Sequence, residues 1–298
     1  MRAVFSRCIK WSVIETGATF RYAGNANGDQ IGDTSVITIN GGSFGEITAA
    51  GVNPNNPGPA ETVAEVTITA NGGTFSSGRA VFTTTGVFRV LAGTAIAHRA
   101  GTIAADSVEI GAAGSIDLDG GSTTANTGHS KLTVGTGGLL LTGGTINLNS
   151  HNSVASATSV GSILTLNGDV TSIGASDILD IRTATMTAAV ATVDLGGVDR
   201  AFDVTGTLHI GTDALPIPLT NGGLVKNGTG NLTITGSQTL TNLIINDGIV
   251  SVGEMPPPSP AFGEAFAEGG GAAAVPEPGA LSLLALGALG MFNRRRRA

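Results

Sequence analysis

Short runs of alternating apolar and polar residues recur along most of the chain, each beside a Gly or an Asn. Val36-Ile37-Thr38-Ile39-Asn40 leads into Gly41-Gly42, and Val66-Thr67-Ile68-Thr69 into Asn71-Gly72-Gly73. The pattern returns at Val108-Glu109-Ile110, Ile116-Asp117-Leu118-Asp119, Leu132-Thr133-Val134, Ile146-Asn147-Leu148-Asn149 and Leu164-Thr165-Leu166-Asn167. It continues through Val193-Asp194-Leu195, Leu208-His209-Ile210, Leu232-Thr233-Ile234 and Ile249-Val250-Ser251-Val252. Period-two alternation puts the aliphatics on one face of a strand and Thr, Asn or Asp on the other. No helical period runs through this region, so the expected class is all-β.

Strands this short gain too little alone and must stack. An antiparallel sandwich or barrel can use them, and so can a coil of parallel strands. Three features favour the coil. Aliphatic-x-aliphatic triplets are rung-length strands. Aromatics make up 4% of the chain, and a narrow turn suits stacked Val, Ile, Leu and Ala. Gly-Gly and Asn-Gly corners recur, as repeated sharp bends require. A Greek-key sandwich with long loops is the alternative. The open rungs at the two ends of a coil need covering, since bare edges pair with other chains; stretch 11–22 and the linker described next are the candidates.

Four regions follow from the pattern: an irregular segment at 1–22, strand-and-turn repeats at 23–252, a Pro/Gly/Ala linker at 253–274 and a distinct tail at 275–298. Composition agrees. The 298 residues include 46 Gly and 12% charged residues, where globular chains hold about 7% Gly and about 25% charge. The 41% hydrophobic share is too high for a disordered chain. A single cysteine, Cys8, excludes an intramolecular disulfide. Net charge is −7, and four of the fifteen basic residues are Arg294, Arg295, Arg296 and Arg297. The rest of the chain therefore sets eleven basic residues against 22 acidic ones. Such a body repels nucleic acid, whose binding relies on Lys and Arg at phosphates.

Residues 222–252 resemble the autotransporter-associated β-strand repeat. Gly222, Gly223, Leu224, Lys226, Gly228, Gly230, Leu232, Thr233, Gly236, Ile245, Asn246, Gly248 and Val252 match its pattern. The chain departs from it at 237–243, which bears on one local turn. The resemblance implies a single-stranded right-handed parallel β-helix outside the cell. It does not extend to the large membrane β-barrel that ends an autotransporter, so export requires another route.

The tail supplies one. Val275-Pro276-Glu277-Pro278 precedes a 14-residue apolar run, Gly279 to Phe292, and then the four arginines. This is similar, element by element, to the PEP-CTERM sorting signal. The prolines mark a helix start and an extended, protease-accessible stretch. The apolar run is read as a short C-terminal hydrophobic helix, below the ~20 residues a bilayer needs, with arginines that snorkel and hold the C-terminus on the cytoplasmic side. The resemblance implies transient inner-membrane anchoring by residues 279–297 and recognition near Pro-Glu-Pro by an exosortase-type enzyme. Export also requires an N-terminal signal peptide, which residues 1–20 do not form; the true N-terminus is expected to differ.

Catalytic constellations are missing from the pattern. His98, His129, His151 and His209 lie in separate repeats without metal-ligand spacing and are read as solvent-facing. Asp117 and Asp119, two apart on one strand, are read as a solvated face; carboxylate catalysis and Ca²⁺ are the alternatives. Asn25, Asn27, Asp29 and Asp33 place oxygens at positions 1, 3, 5 and 9 of an EF-like loop, but Gln30 stands where Gly is needed and Val36 where Glu is needed. No catalytic, cofactor-binding or metal residue is assigned and no cofactor is expected. The expectation is a non-enzymatic, exported structural or adhesin-like protein of the cell surface or extracellular matrix, meeting polysaccharide or neighbouring cells. The alternative is an extracellular polysaccharide lyase or glycoside hydrolase on the same coil.

Overall fold

Each apolar triplet becomes one rung of a ladder. The computed structural model describes residues 11–23, 29, 31–47, 60–98, 101–119, 121–122, 129–149, 159–182 and 189–253. The chain divides between Met255 and Pro256 into two units, and all described residues lie in the first. That unit is all-β. The chain winds through three faces in repeated order, and the strands of each face pair in parallel with those one coil on.

Face A runs from Glu61–Val63 through 81–84, 102–105, 131–134, Ile163–Leu166 and Thr192–Asp194 to Leu219–Thr220. Face B starts at Trp11–Glu15, Val36–Asn40 and Glu65–Ile68 and ends at Arg200–Val204, Gly222–Asn227 and Leu240–Ile245. Face C starts at Thr19–Ala23, Ser43–Ile47 and Thr74–Gly78 and ends at Thr207–Ile210, Asn231–Ile234 and Ile249–Val252. Faces B and C each count ten rungs among the described residues. The parallel β-helix expected from the alternation is therefore present. The expected C-terminal helix falls outside the described residues, as do Cys8, the linker from 254 and the whole tail.

In-register stacking at about 4.8 Å per rung turns the inward residue of each triplet into a continuous core column. Ile14, Ile39, Ile68, Val90, Ile110 and Leu141 form one on face B, five of them 0% exposed or close to it. Face C contradicts one expectation. Its inner column opens with Phe20, Phe44 and Phe75, ring on ring at 5.3 and 5.2 Å, with Phe82 and Phe88 set edge-on to Phe75 at 4.8 and 5.0 Å. Aromatics are scarce overall, yet they gather in the first coils, where one ring per rung stacks at the rung spacing. The N-terminal boundary also shifts. Segment 1–22 was expected to be irregular, but strands Trp11–Glu15 and Thr19–Ala23 form the first coil, in register with Val36–Asn40 and Ser43–Ile47.

The turn from face B to face C is built on glycine. Gly42, Gly73, Gly93, Gly114, Gly144, Gly174, Gly206, Gly230 and Gly248 each immediately precede the face C strand or its first residue. A Cβ on Gly93 would lie 2.2 Å from the Gly73 carbonyl oxygen, and one on Gly230 2.1 Å from that of Gly206. Only a residue without a side chain lets successive coils close at this corner. The longest connections lie at another corner, from face C to face A, at 48–60, 119–130, 149–162 and 181–191. Two of these connections pair with each other, Gly121–Ser122 antiparallel to Ser159–Val160.

Candidate functional site

Outward positions of the rungs also stack, and they make polar columns on the surface. The longest runs down face C. Thr19, Ser43, Thr74, Thr94, Ser115 and Thr145 are consecutive register partners. Asp177 and His209 continue the column, and Thr233 and Ser251 end it. Its members bond to one another: Thr74 Oγ1 donates to Ser43 Oγ at 2.9 Å, Ser115 Oγ to Thr94 Oγ1 at 3.1 Å, and His209 Nδ1 lies 3.0 Å from Asp177 Oδ1. Face A carries a shorter column that includes Thr62, Thr83, Thr133, Thr165 and Thr220. Face B is mixed, with Thr38 and Thr67 followed by the Arg89–Glu109 ion pair at 2.5 Å.

The two aspartates expected on one face part company. Asp117 points outward and accepts from Asn147 Nδ2 at 2.8 Å, Asn147 being its partner on the next rung. Partial burial raises the Asp117 carboxyl above the usual carboxylate range, with the hydrogen bonds from Asn147 and Ser115 opposing the shift and the Asp119 charge adding to it. Asp119 is buried instead, at 1% exposure. The strand stops at Leu118, so the alternation ends and the chain turns inward at the corner. There Asp119 Oδ2 meets His98 Nδ1 at 2.6 Å.

That corner holds a buried polar cluster which the sequence pattern did not reveal. Asn149 adopts the left-handed conformation at φ 57°. Its Nδ2 donates to Asp180 Oδ1 at 3.0 Å and to the Ala189 carbonyl at 2.8 Å, while Ser162 N donates to its Oδ1 at 2.7 Å. Asp180 occupies a core slot in line with Leu118 and Leu148. It also accepts from the amides of Arg182 and Ala191 at 3.1 and 3.2 Å. The bonds to Asp180 tie Asn149, Arg182 and Ala191, at the ends of two face C to face A connections, to a face C strand.

Lys226 also sits inside. It fills the core column between Phe202 and Ile245, 0% exposed. Its Nζ donates to the carbonyls of Asn227 and Gly228 at 2.5 Å each, Asp247 at 3.3 Å and Val204 at 3.4 Å. Burial lowers its ammonium below the usual lysine range, and the charges of Asp247 and Asp203 oppose that.

Of the remaining expected candidates, Asp29 and Asp33 are the pair that meets among the described residues. His129 Nδ1 lies 2.5 Å from the Gly161 carbonyl oxygen. His151, Asn25 and Asn27 fall outside the described residues. Asp29 and Asp33 share a hydrogen bond that raises the Asp33 carboxyl, as does the Asp29 charge. No group of three or more metal-ligating side chains occurs among the described residues, and no helix there is long and apolar enough to cross a membrane.

Comparison with known families places a PEP-CTERM protein-sorting motif at residues 274–297. That span contains Val275, Pro276, Glu277, Pro278 and the arginines Arg294, Arg295, Arg296 and Arg297. A motif of this kind is recognised by exosortase and implies export to the cell surface or the extracellular space. Comparisons with curated proteins and with solved structures returned no match.

Proposed function

We propose that this chain is a non-enzymatic structural or adhesin-like protein of the cell surface or extracellular matrix. The observation that carries the reading is the pairing of an export motif at 274–297 with a parallel coil whose outward side chains form long polar columns. Repetition turns weak contacts at each rung into strong attachment along the coil. The likeness of 222–252 to the autotransporter-associated repeat supports the same reading. So does the surface chemistry. The outward carboxylate singled out in the sequence, Asp117, has an amide and not a second acid or a base as its next-rung partner. Transient anchoring by 279–297 and processing at Val275-Pro276-Glu277-Pro278 complete the proposed route.

Removing residues 275–298 from a tagged chain is expected to abolish sorting. Fractionation should find the full chain in the membrane and cell-surface fractions and the shortened chain in neither. Equal surface delivery of both forms would overturn the reading.

A further inference from the structure

The geometry points to the hydroxyl column of face C as a lengthwise binding surface for a neutral polysaccharide. This rests on the surface reading above and adds the face, the ligand class and the direction in which the ligand lies. Three observations carry it.

The first is regularity. Eight of the ten outward positions on this column are Ser or Thr, in unbroken register from Thr19 to Ser251. A hydroxyl both donates and accepts, so the column offers two-way hydrogen-bonding groups about every 4.8 Å, interrupted at Asp177 and His209. A ligand that uses all of them must be long, and it must carry donors and acceptors at a similar repeat. A chain of sugar rings rich in hydroxyls has that chemistry.

The second is preorganisation. Thr is stiff at χ1, and the bonds Thr74–Ser43 and Ser115–Thr94 fix hydroxyls before any ligand arrives. Little ordering cost remains at binding.

The third is charge. The column holds one carboxylate and one imidazole, Asp177 and His209, and they bond to each other at 3.0 Å. A polyanion would find no row of cations here. A protein partner would want Trp, Tyr or Arg anchors, and none stands in this column.

The test uses the full chain in a mild nonionic detergent, run in native gels cast with hydroxyethyl cellulose, with dextran or with alginate. The variant Thr94→Val/Thr145→Val/Thr233→Val removes three hydroxyls while keeping β-branched strand formers. Thr38→Val/Thr67→Val on face B is the control. The parent and the control should be retarded by at least one of the two neutral polymers. The face C variant should lose roughly tenfold in affinity, with an unchanged unfolding midpoint. Equal retardation of the face C variant and the parent, no retardation by either neutral polymer, or retardation by alginate alone would overturn the proposal. Sorting is read separately by fractionation, so a failure of this surface with tail-dependent delivery intact sinks the ligand inference and leaves the surface reading standing.

Discussion

Phe75→Ala should open the first coils while the later ones stay closed. Phe75 is 0% exposed and lies at the centre of the aromatic group, stacked on Phe44 and edge-on to Phe82 and Phe88. Truncating a buried Phe costs about 3–5 kcal/mol, because the rigid surroundings keep much of the cavity. The next inward residue on the column is Ala95, which has no bulk to lend. In a coil each rung touches only its neighbours, so damage propagates by nearest-neighbour coupling and not through one global core. Amide exchange is the measurement. Protection across 36–97 should fall roughly a hundredfold or more, the equivalent of about 3 kcal/mol. Protection across 163–234 should hold. A uniform loss over both regions would mean the unit unfolds as one block.

Lys226→Met should be the second costly change, and its cost should depend on pH. Methionine refills the column between Phe202 and Ile245 with an unbranched apolar chain. It cannot serve the four carbonyl oxygens that Nζ gathers at this turn. A buried acceptor left without a donor costs about 1–3 kcal/mol; with several affected, a loss near 3 kcal/mol is expected. The folded pKa of Lys226 is below the unfolded one. Between the two values the unfolded chain binds more protons than the folded one, so this group makes stability rise as pH rises through that alkaline window. The urea midpoint of the parent, measured against Lys226→Met, should therefore gain on the variant toward high pH. A constant difference across the range would show that Lys226 keeps an ordinary titration inside the coil.

Local pattern carried most of the fold into view. Triplets such as Leu164-Thr165-Leu166 declare which side chains turn inward, and stacking then follows from their shortness. The coil's corner was legible too, in outline. Gly73-Thr74-Phe75, Gly93-Thr94-Ala95, Gly114-Ser115-Ile116 and Gly144-Thr145-Ile146 repeat one signature, Gly then hydroxyl then apolar. Read as a motif, it would have found the hydroxyl column as well. The failures lie where contacts join residues far apart in sequence. Phe20, Phe44 and Phe75 look isolated along the chain and meet only through the register of successive face C strands. Asp119 was misplaced because alternation was carried one step past the end of its strand. Lys226 and Asp180 break the apolar core pattern, and each persists because backbone groups at its turn pair with it; no single-residue propensity encodes that.

An exported coil should show its polar alternation to the outside of the cell. Two single-cysteine chains in a Cys8→Ser background test it on intact cells: Lys131→Cys, at an exposed outward position, and Leu132→Cys, at a core position 0% exposed. A membrane-impermeant maleimide should label the first and spare the second until the protein is denatured, and deleting 275–298 should abolish surface labelling of the first. Equal labelling of both cysteines in the native protein, or none of Lys131→Cys on intact cells carrying the full tail, would contradict the account.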